Sequence, residues 1–415
     1  MPAVIAMLVI LLAWALVAGR LARWNITAAM AMIAAGIALT AGSDPLVRVD
    51  LDNRIAERIV EVTLAVVLFV DATEVPGGIL GRERRMTLRL VGVALPLSIA
   101  LAWAAGFLLL PDQGIWMLGL LAMIVVPTDL APAVAIIRDR RVPSRLRAII
   151  NVESGLNDGL IAPLFLFCLA GAQSPDRDAP VPDALVHAVP AVLVALGVGA
   201  AVGVLSARLL SRAWSSGSTP PAALRLGVFA LPLLAYTLAV ALDGNGFVAA
   251  FVAGVLFSSS ARRLPADALH LVEDVGSLLS LAVWFTFGQV VNQVIDARPG
   301  WQVIVYAALA LTVVRLVPVA LALAGSGVDR IDALFLGWLG PRGLASIVFG
   351  MLAFIDLSAP DNVIVAEVMV VTVLLSVVLH GLSSAPIAAA YARRAAKGGE
   401  TRLDDEAHAP ALSDG

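Results

Sequence analysis

The sequence predicts an all-α polytopic membrane protein with about thirteen transmembrane helices. Of the 415 residues, 60% are hydrophobic and 14% are charged, whereas about a quarter of the residues in soluble domains are charged. Apolar runs of about 20 residues, each long enough to cross a bilayer, recur from one end of the chain to the other. Basic residues are concentrated in alternate loops between these runs, which is typical of a chain threaded through a lipid bilayer.

The predicted spans are separated by short polar or turn-forming segments, and several contain Gly or Pro, which membrane helices tolerate. They cover roughly residues 3–19, 25–41, 58–75, 87–110, 114–137, 146–171, 182–207, 224–242, 245–258, 268–292, 301–324, 331–354 and 363–391. The first run lacks a basic flank and a cleavage site, so it is expected to be a retained helix rather than a signal peptide. The eighth and ninth spans are joined only by DGNG at 243–246 and are the least distinct pair.

The distribution of arginine and lysine predicts the orientation of the chain. Loops on one side are rich in arginine, as in 82–89, 138–147 and 208–225, and the tail after residue 391 is also basic. The opposite loops hold only Arg48, Arg54, Arg58, Arg177 and Arg298. By the positive-inside rule the N-terminus lies outside and the C-terminus in the cytoplasm, which requires an odd number of spans.

The sequence predicts one membrane domain followed by a short tail. Residues 1–391 form the membrane transport domain, and residues 392–415 form a short cytoplasmic tail whose polar composition predicts disorder. The chain shows no basic face of the kind that binds nucleic acid. The single cysteine, Cys168, excludes an intramolecular disulfide. The four histidines are scattered and form no metal-ligand motif, so no resident cofactor is expected.

Four polar residues interrupt the apolar sixth span, in the sequence NVESGLNDGL at 151–160. Glu153, Ser154, Asn157 and Asp158 share one helix face at 100° per residue, close to the middle of the bilayer. A charge at that depth costs several kcal/mol on insertion scales, so such residues usually serve a function. The alternative is a structural polar network between helices.

The fifth span is predicted to be a broken helix, because Pro127 and Pro132 bracket Thr128 and Asp129 in its middle. Broken helices leave backbone carbonyls and amides unpaired and mark ion sites in transporters. A simple proline kink is the alternative. Asp129 is expected to be buried here.

The twelfth span carries a similar interruption, Gly340-Pro341-Arg342-Gly343. The two broken spans run in opposite directions and occupy matching places in the two halves of the chain. This arrangement predicts inverted repeats whose discontinuous helices cross near the bilayer centre. Arg342 is then placed to compensate the negative helix ends at the crossing.

Arg315 is an isolated charge within the eleventh span and needs a buried anion. Glu153 is the preferred partner, since that pairing leaves Asp158 free to titrate, and pairing with Asp158 is the alternative. Asp71 and Glu74 lie near the cytoplasmic end of the third span. They either line an entry funnel or occupy a solvated helix end.

Taken in order, PTD at 127–129, ESGLNDG at 153–159, the arginine of VVRLVPV and GPRGLAS resemble the monovalent cation/proton antiporter family. The similar branch is that of the sodium/proton exchangers with an Asn-Asp motif (NhaP-like). The resemblance implies that Asp158 is the transported-ion carboxylate and that Arg315 bridges to Glu153 and Asn157. The residues that complete the Na⁺ site by this resemblance are Asp129, Thr128, Ser154 and Glu153.

The resemblance also implies a homodimer, with a dimerisation domain and a moving core domain interleaved in the sequence. It implies antiport, pH homeostasis and a place in the cell membrane. One position departs from the family pattern. Many members have Pro directly after the aspartate of the broken helix, whereas here Leu130 follows Asp129 and the proline is Pro132. The backbone ligands therefore remain unassigned from the sequence.

The expected mechanism is competition at one carboxylate. Burial disfavours an ionised carboxylate, which regains stability by taking a proton or a cation. Asp158 is this switch, and hydroxyl and carboxylate oxygens suit Na⁺ or Li⁺. Since Asn157 replaces a possible second acid, electroneutral Na⁺/H⁺ exchange is predicted.

Three other readings stay open from the sequence. They are K⁺/H⁺ exchange on the same scaffold, an intramembrane aspartyl protease using Asp129 and Asp158, and a channel or structural scaffold. The usual Gly-Asp context of the protease is missing here, and the chain is not expected to be an enzyme.

Overall fold

The fold is known from a computed structural model, which describes residues 2–42, 54–73, 83–133, 136, 142–174, 181–261 and 263–407. Throughout this part of the chain the regular structure is helical, with no β-strand. Glu74, one of the two acidic residues expected near the end of the third span, lies outside the described residues.

Among the described residues, the first half of the chain contains seven helices. They are α1 (Pro2–Arg23), α2 (Ala28–Thr40), α3 (Arg54–Thr73), α4 (Arg84–Arg89), α5 (Leu95–Leu109), α6 (Ile115–Val125) and α7 (Ser144–Ala172). A π-helical turn at Leu90–Ala94 joins α4 to α5 without a break. A short 3-10 turn, Ala131–Ala133, follows α6.

The described part of the second half contains nine helices. They are α8 (Val181–Ser215), α9 (Pro221–Ala241), α10 (Gly246–Ser260), α11 (His270–Asp296), α12 (Trp301–Leu311), α13 (Val313–Leu323), α14 (Arg330–Trp338), α15 (Leu344–Asp356) and α16 (Asp361–Ala407). A 3-10 turn at Ala266–Ala268 precedes α11.

The predicted membrane class agrees with this architecture. Among the described residues, eight helical segments are long and apolar enough to cross a membrane, and four apolar helices of 10–17 residues accompany them. Each of the thirteen predicted spans contains described helix. The number of crossings and the side that each terminus faces stay predictions from the sequence.

The last helix extends beyond the final predicted span. The helix α16 continues to Ala407, so residues 392–407 are helical. This stretch contains four Ala and three Arg, which have high helix propensity, and two Gly, which have low helix propensity. It also extends a helix that already exists, and adding a residue costs far less than nucleating a new helix. Residues 408–415 lie outside the described part of the chain.

The helices pack as two bundles. The first bundle consists of α1–α3 and α8–α11, and the second consists of α4–α7 and α12–α16. Glycines allow close approach within the first bundle, as membrane helix interfaces commonly require. A Cβ at Gly288 of α11 would lie 2.9 Å from Ile33 Cα of α2, and one at Gly203 of α8 would lie 2.6 Å from Ala253 O of α10. The bundles meet where α3 and α10 contact α7, and where α3 and α11 contact α15.

Candidate ion-binding site

Two interrupted helices meet at the centre of the second bundle. The helix α6 ends at Val125 and no helical turn follows until Ala131, while α14 ends at Trp338 and α15 begins at Leu344. The Asp129 backbone N–H donates to the Pro341 carbonyl at 2.7 Å, so the two unwound segments are in direct contact. The sequence prediction of two crossing discontinuous helices is confirmed.

Asp129 ties these segments together with its side chain. Its Oδ2 accepts from the Leu344 N–H at 2.7 Å, and its Oδ1 accepts from the Ala131 N–H at 2.8 Å. Leu344 is the first residue of α15, and Gly343 before it has no side chain to cap the helix. A Cβ at Gly343 would collide with the Asp129 carboxylate. Asp129 therefore supplies, from the other broken helix, the acceptor that an N-cap residue normally provides.

This capping role predicts a loss of stability in Asp129→Ala. Two backbone N–H groups would lose their acceptor, and loss of an N-cap alone costs about 0.5–2 kcal/mol. We expect a lowered free energy of unfolding in detergent, measured by chemical or thermal denaturation. Asp112→Ala, in the exposed turn between α5 and α6, is the matched control and should leave stability unchanged. Equal stability of the two variants would contradict the cap.

Arg342 occupies the crossing as the sequence predicted. Its side chain is fully buried. The guanidinium donates to the carbonyls of Val126 and Pro127 at the end of α6, the latter at 3.2 Å, and to Ala310 O at 2.9 Å near the end of α12. These carbonyls carry the negative end of each helix dipole, which a buried cation stabilises.

Arg315 pairs with Glu153, one of the two partners left open by the sequence. Its two terminal nitrogens each donate to one carboxylate oxygen at 2.7 Å, and the exposed fractions of Arg315 and Glu153 are 4% and 2%. Such a two-point contact satisfies both oxygens of the carboxylate. Glu153 is therefore turned toward Arg315.

The implied bridge from Arg315 to Asn157 is not formed within the described residues. Asn157 Nδ2 donates instead to Thr128 Oγ1 at 3.2 Å. Ser154 Oγ donates to the Thr128 carbonyl at 2.7 Å. The polar face of α7 is thus fixed against the unwound segment after α6. Because the Ser154 hydroxyl is the donor in its bond, the oxygen keeps lone pairs that can face a cation.

Asp158 is the carboxylate whose bonding is incomplete. It is 6% exposed, and its Oδ1 is buried with no hydrogen-bond partner in the part of the chain that the structure describes. The Asp158 side chain lines a cavity of about 190 Å³ between the two bundles. The cavity is lined by Val67, Asp71, Asp129, Leu130, Ala131, Asn151, Ser154, Gly155, Asp158, Ser280, Trp284 and Leu344.

The structure brings three of the predicted site residues to this cavity: Asp158, Asp129 and Ser154. Thr128 and Asn157 do not line the cavity. They hydrogen-bond to each other, and the Thr128 carbonyl accepts from Ser154. Asp129 is only half-buried rather than buried, because it faces the cavity. Within the described residues, no group of three or more His, Cys, Asp or Glu side chains is placed to hold a metal ion.

Asn151 and Asp71 are two of the cavity-lining residues that were not assigned to the ion site from the sequence. Asn151 lies seven residues before Asp158, on the same helix face, so helical spacing was enough to find it. The second is Asp71 of α3. It was expected either to line an entry funnel or to occupy a solvated helix end, and the structure places it at the cavity. Its proximity depends on how α3 packs on α7, which no local pattern in the sequence encodes.

Crossed broken helices beside an incompletely bonded carboxylate, in a cavity between two bundles, define the class as a secondary transporter. A sequence profile of the family described as "Sodium/hydrogen exchanger, transmembrane" matches residues 5–390. The chain belongs to this family and is a multi-pass membrane protein.

Similar proteins and structures agree with this class. The chain is 24% identical to a "Na(+)/H(+) antiporter" of Schizosaccharomyces pombe, over 82% of this chain and 79% of the relative. It is 25% identical to the "K(+)/H(+) antiporter NhaP" of Alkalimonas amylolytica, over 73% of this chain and 51% of the relative. The fold is similar to the sodium proton antiporter MjNhaP1 of Methanocaldococcus jannaschii, with a TM-score of 0.75 and 18% identity. That match covers 94% of this chain and 99% of MjNhaP1.

Proposed function

We propose that this chain is a secondary active antiporter that exchanges Na⁺ for H⁺ across the cell membrane. The observation that carries the proposal is Asp158, whose buried Oδ1 has no hydrogen-bond partner among the described residues while its side chain lines the cavity between the bundles. A buried carboxylate in that position gains stability from a proton or from a cation. The two occupants compete for the same oxygens, and this competition couples their movements.

Asp158 is the switching group, and its neighbours have other roles. Both oxygens of Asp129 accept backbone N–H groups, and both oxygens of Glu153 accept from Arg315. The ion therefore binds at Asp158, with the Ser154 hydroxyl and backbone carbonyls of the unwound segment close by. Oxygen ligands of this kind suit a hard cation. Na⁺ is the proposed substrate, and Li⁺ fits the same chemistry.

K⁺/H⁺ exchange is the second candidate, because the relative from Alkalimonas amylolytica is named a K(+)/H(+) antiporter. Reconstitution into liposomes that contain a pH-sensitive dye distinguishes the two. Proton movement driven by Na⁺ or Li⁺ at concentrations where K⁺ has no effect supports Na⁺/H⁺ exchange. Movement driven by K⁺ alone assigns the second function.

Alternating access follows from the two-bundle arrangement. In this proposal the second bundle, which carries Asp158 and both broken helices, is the moving core. The first bundle is the dimerisation domain of a homodimer. The cavity between the bundles is then the path by which the ion reaches Asp158 from one side of the membrane. Residues 1–391 form this transport domain, and its exchange serves cellular Na⁺ and pH homeostasis.

The single switching carboxylate predicts electroneutral exchange. The core carries the same charge whether Asp158 holds H⁺ or Na⁺, so an imposed membrane potential should not change the rate. A potential acts on each net charge moved with about 2.3 kcal/mol per 100 mV. Valinomycin and K⁺ clamp the potential while Na⁺-driven proton movement is recorded, after K⁺ itself has been shown not to be carried.

A rate that changes with the imposed potential would contradict this prediction. It would also identify Asp129 as a second proton carrier, because Asp129 is the other carboxylate of the second bundle that lines the cavity. The Asp129→Asn variant would then show exchange that no longer depends on the potential.

A further inference from the structure

A buried pair on α16, Ser376 and His380, bonds near both ends of the second helix break. His380 is 1% exposed and Ser376 is fully buried, one helical turn apart on the same face. The His380 Nε2 lies 2.9 Å from the carbonyl oxygen of Trp338, the last residue of α14. The Arg342 backbone N–H, close to the start of α15, donates to Ser376 Oγ at 2.6 Å. The Ser376–His380 pair therefore spans the interruption between α14 and α15.

These contacts fix which ring nitrogen of His380 carries a proton. A carbonyl oxygen only accepts hydrogen bonds, so Nε2 must be protonated to bond to Trp338. Nδ1 lies 3.2 Å from Ser376 Oγ and 2.9 Å from the Ser376 carbonyl. With Nδ1 unprotonated, the Ser376 hydroxyl donates to it and at the same time accepts from the Arg342 N–H. The Nε2 bond is present in the neutral and in the charged ring, so the link to Trp338 does not depend on the charge of His380.

The pair supplies part of the hydrogen bonding that an unwound backbone needs in the interior. The two N–H groups of the break nearest to α14 still donate to carbonyls of α14. The next two, those of Arg342 and Leu344, donate to side chains from other parts of the chain, Ser376 and Asp129. Asp129 belongs to the other broken helix, whereas Ser376 belongs to the continuous helix α16. The Ser376–His380 pair thus anchors the break to a regular helix.

The same break is in contact with the wall of the ion cavity. The Pro341 carbonyl accepts from the Asp129 N–H, and a Cβ at Gly340 would lie 3.2 Å from Thr128 Cγ2. The Thr128 carbonyl in turn accepts from Ser154. Both Asp129 and Ser154 line the cavity beside the ion carboxylate. A shift of the break therefore moves the oxygen atoms that surround this carboxylate.

We infer that Ser376 and His380 are positioning residues for Na⁺ binding, which hold the break between α14 and α15 so that the oxygen atoms around Asp158 keep the spacing that the cation requires. The inference rests on the proposed Na⁺/H⁺ exchange and adds two residues that do not line the cavity. A proton needs one oxygen of Asp158, whereas a hard cation needs several oxygens at once. Loss of the pair therefore weakens Na⁺ binding and leaves proton binding unchanged.

Two further properties follow from the place of the pair. It lies in the second bundle, the moving core of the proposed transporter, so it moves with the ion site and affects Na⁺ binding equally at both membrane faces. Because the proton competes at Asp158 with unchanged affinity, loss of the pair should change the KM for Na⁺ by the same factor at every pH. A loss of uniform binding raises KM and leaves kcat unchanged.

The test measures Na⁺-driven proton movement, per amount of folded protein, in membrane vesicles of both orientations and over a series of pH values. We expect His380→Leu to raise the KM for Na⁺ by about tenfold, equal to about 1.4 kcal/mol, with an unchanged maximal rate. His380→Gln should restore the KM, since an amide N–H can donate to the Trp338 carbonyl. Ser384→Ala is the matched control. Ser384 is a buried serine of α16 that bonds to the His380 carbonyl within the helix, and its loss should leave the KM unchanged.

Ser376→Ala tests the same link with a smaller change, and it decides the matter if His380→Leu does not fold. It leaves the Arg342 N–H without its acceptor and should raise the KM in the same way. An unchanged KM in either folded variant would overturn the inference, as would a lower maximal rate at unchanged KM, which a purely structural role predicts. Failure of His380→Gln to restore the KM, or a KM ratio that varies with pH, would also overturn it. Absence of Na⁺-driven proton flux in the wild type would instead refute the proposed exchange itself.

Discussion

Replacing Asp158 with Asn should abolish Na⁺-driven proton flux, down to the level of protein-free liposomes. Asn has nearly the same shape as Asp, so the packing of α7 is preserved, whereas the amide neither titrates nor carries a charge for the cation. Asp158 alone combines burial, an Oδ1 without a hydrogen-bond partner in the described residues and a place at the cavity. The measurement is dye-reported proton movement after a Na⁺ gradient is imposed.

The matched control for this variant is Asp243→Asn. Asp243 is exposed in the turn between α9 and α10 and has a positive φ of 57°, a conformation that Asn also tolerates. Its flux should equal that of the wild type. The Asp158→Asn protein should insert and unfold as the wild type does, because no hydrogen bond to a described residue is lost with Oδ1. Near wild-type flux in Asp158→Asn would exclude Asp158 as the switch.

The second large effect is on stability and concerns the buried pair of Arg315 and Glu153. Removing one member leaves the other charge buried and alone, which costs about 3–5 kcal/mol. Arg315→Ala and Glu153→Ala should therefore each lower the free energy of unfolding by that amount. The double variant should lose less than the sum of the two, because no orphaned charge remains, with an interaction energy of about 1–3 kcal/mol.

An exposed ion pair provides the control for this double-mutant cycle. Arg225 and Asp267 approach to 3.5 Å with exposed side-chain fractions of 37% and 42%. Pairs of this kind contribute about 0–1 kcal/mol. Their double-mutant cycle should therefore give an interaction energy near zero. Additive losses for Arg315 and Glu153 as well would mean that the buried contact does not stabilise the protein.

Much of the site could be predicted because a charged side chain in an apolar helix needs a buried partner of opposite charge or a functional site around it. Arg315 needed a buried anion, and Glu153 was available on the same polar face as Asp158. Pro127 and Pro341 could not continue their helices, which located both breaks and hence the crossing. The elements were predictable for a similar reason, since a long apolar helix satisfies its own backbone hydrogen bonds inside a bilayer.

The remaining features depend on packing between distant segments. Asp129 lies at the cavity, and the contact by which its Oδ2 caps α15, where Gly343 offers no cap of its own, could not be predicted from the sequence. Asp71 reaches the cavity because Gly155 lets α3 approach α7, and both contacts are visible only in three dimensions. The continuation of α16 to Ala407 could not be predicted from composition, because it extends a helix that the preceding apolar span had already nucleated.

The central claim is that Na⁺ and H⁺ compete for Asp158, and proton release on Na⁺ binding tests it most directly. Purified protein is titrated with NaCl by calorimetry in buffers of different ionisation enthalpy, over a series of pH values. The account predicts that bound Na⁺ displaces a proton, since a cation site built on a carboxylate must be deprotonated to bind. It also predicts that Asp158→Asn neither binds Na⁺ nor releases a proton. Na⁺ binding without proton release in the wild type, or unchanged release in Asp158→Asn, would contradict the account.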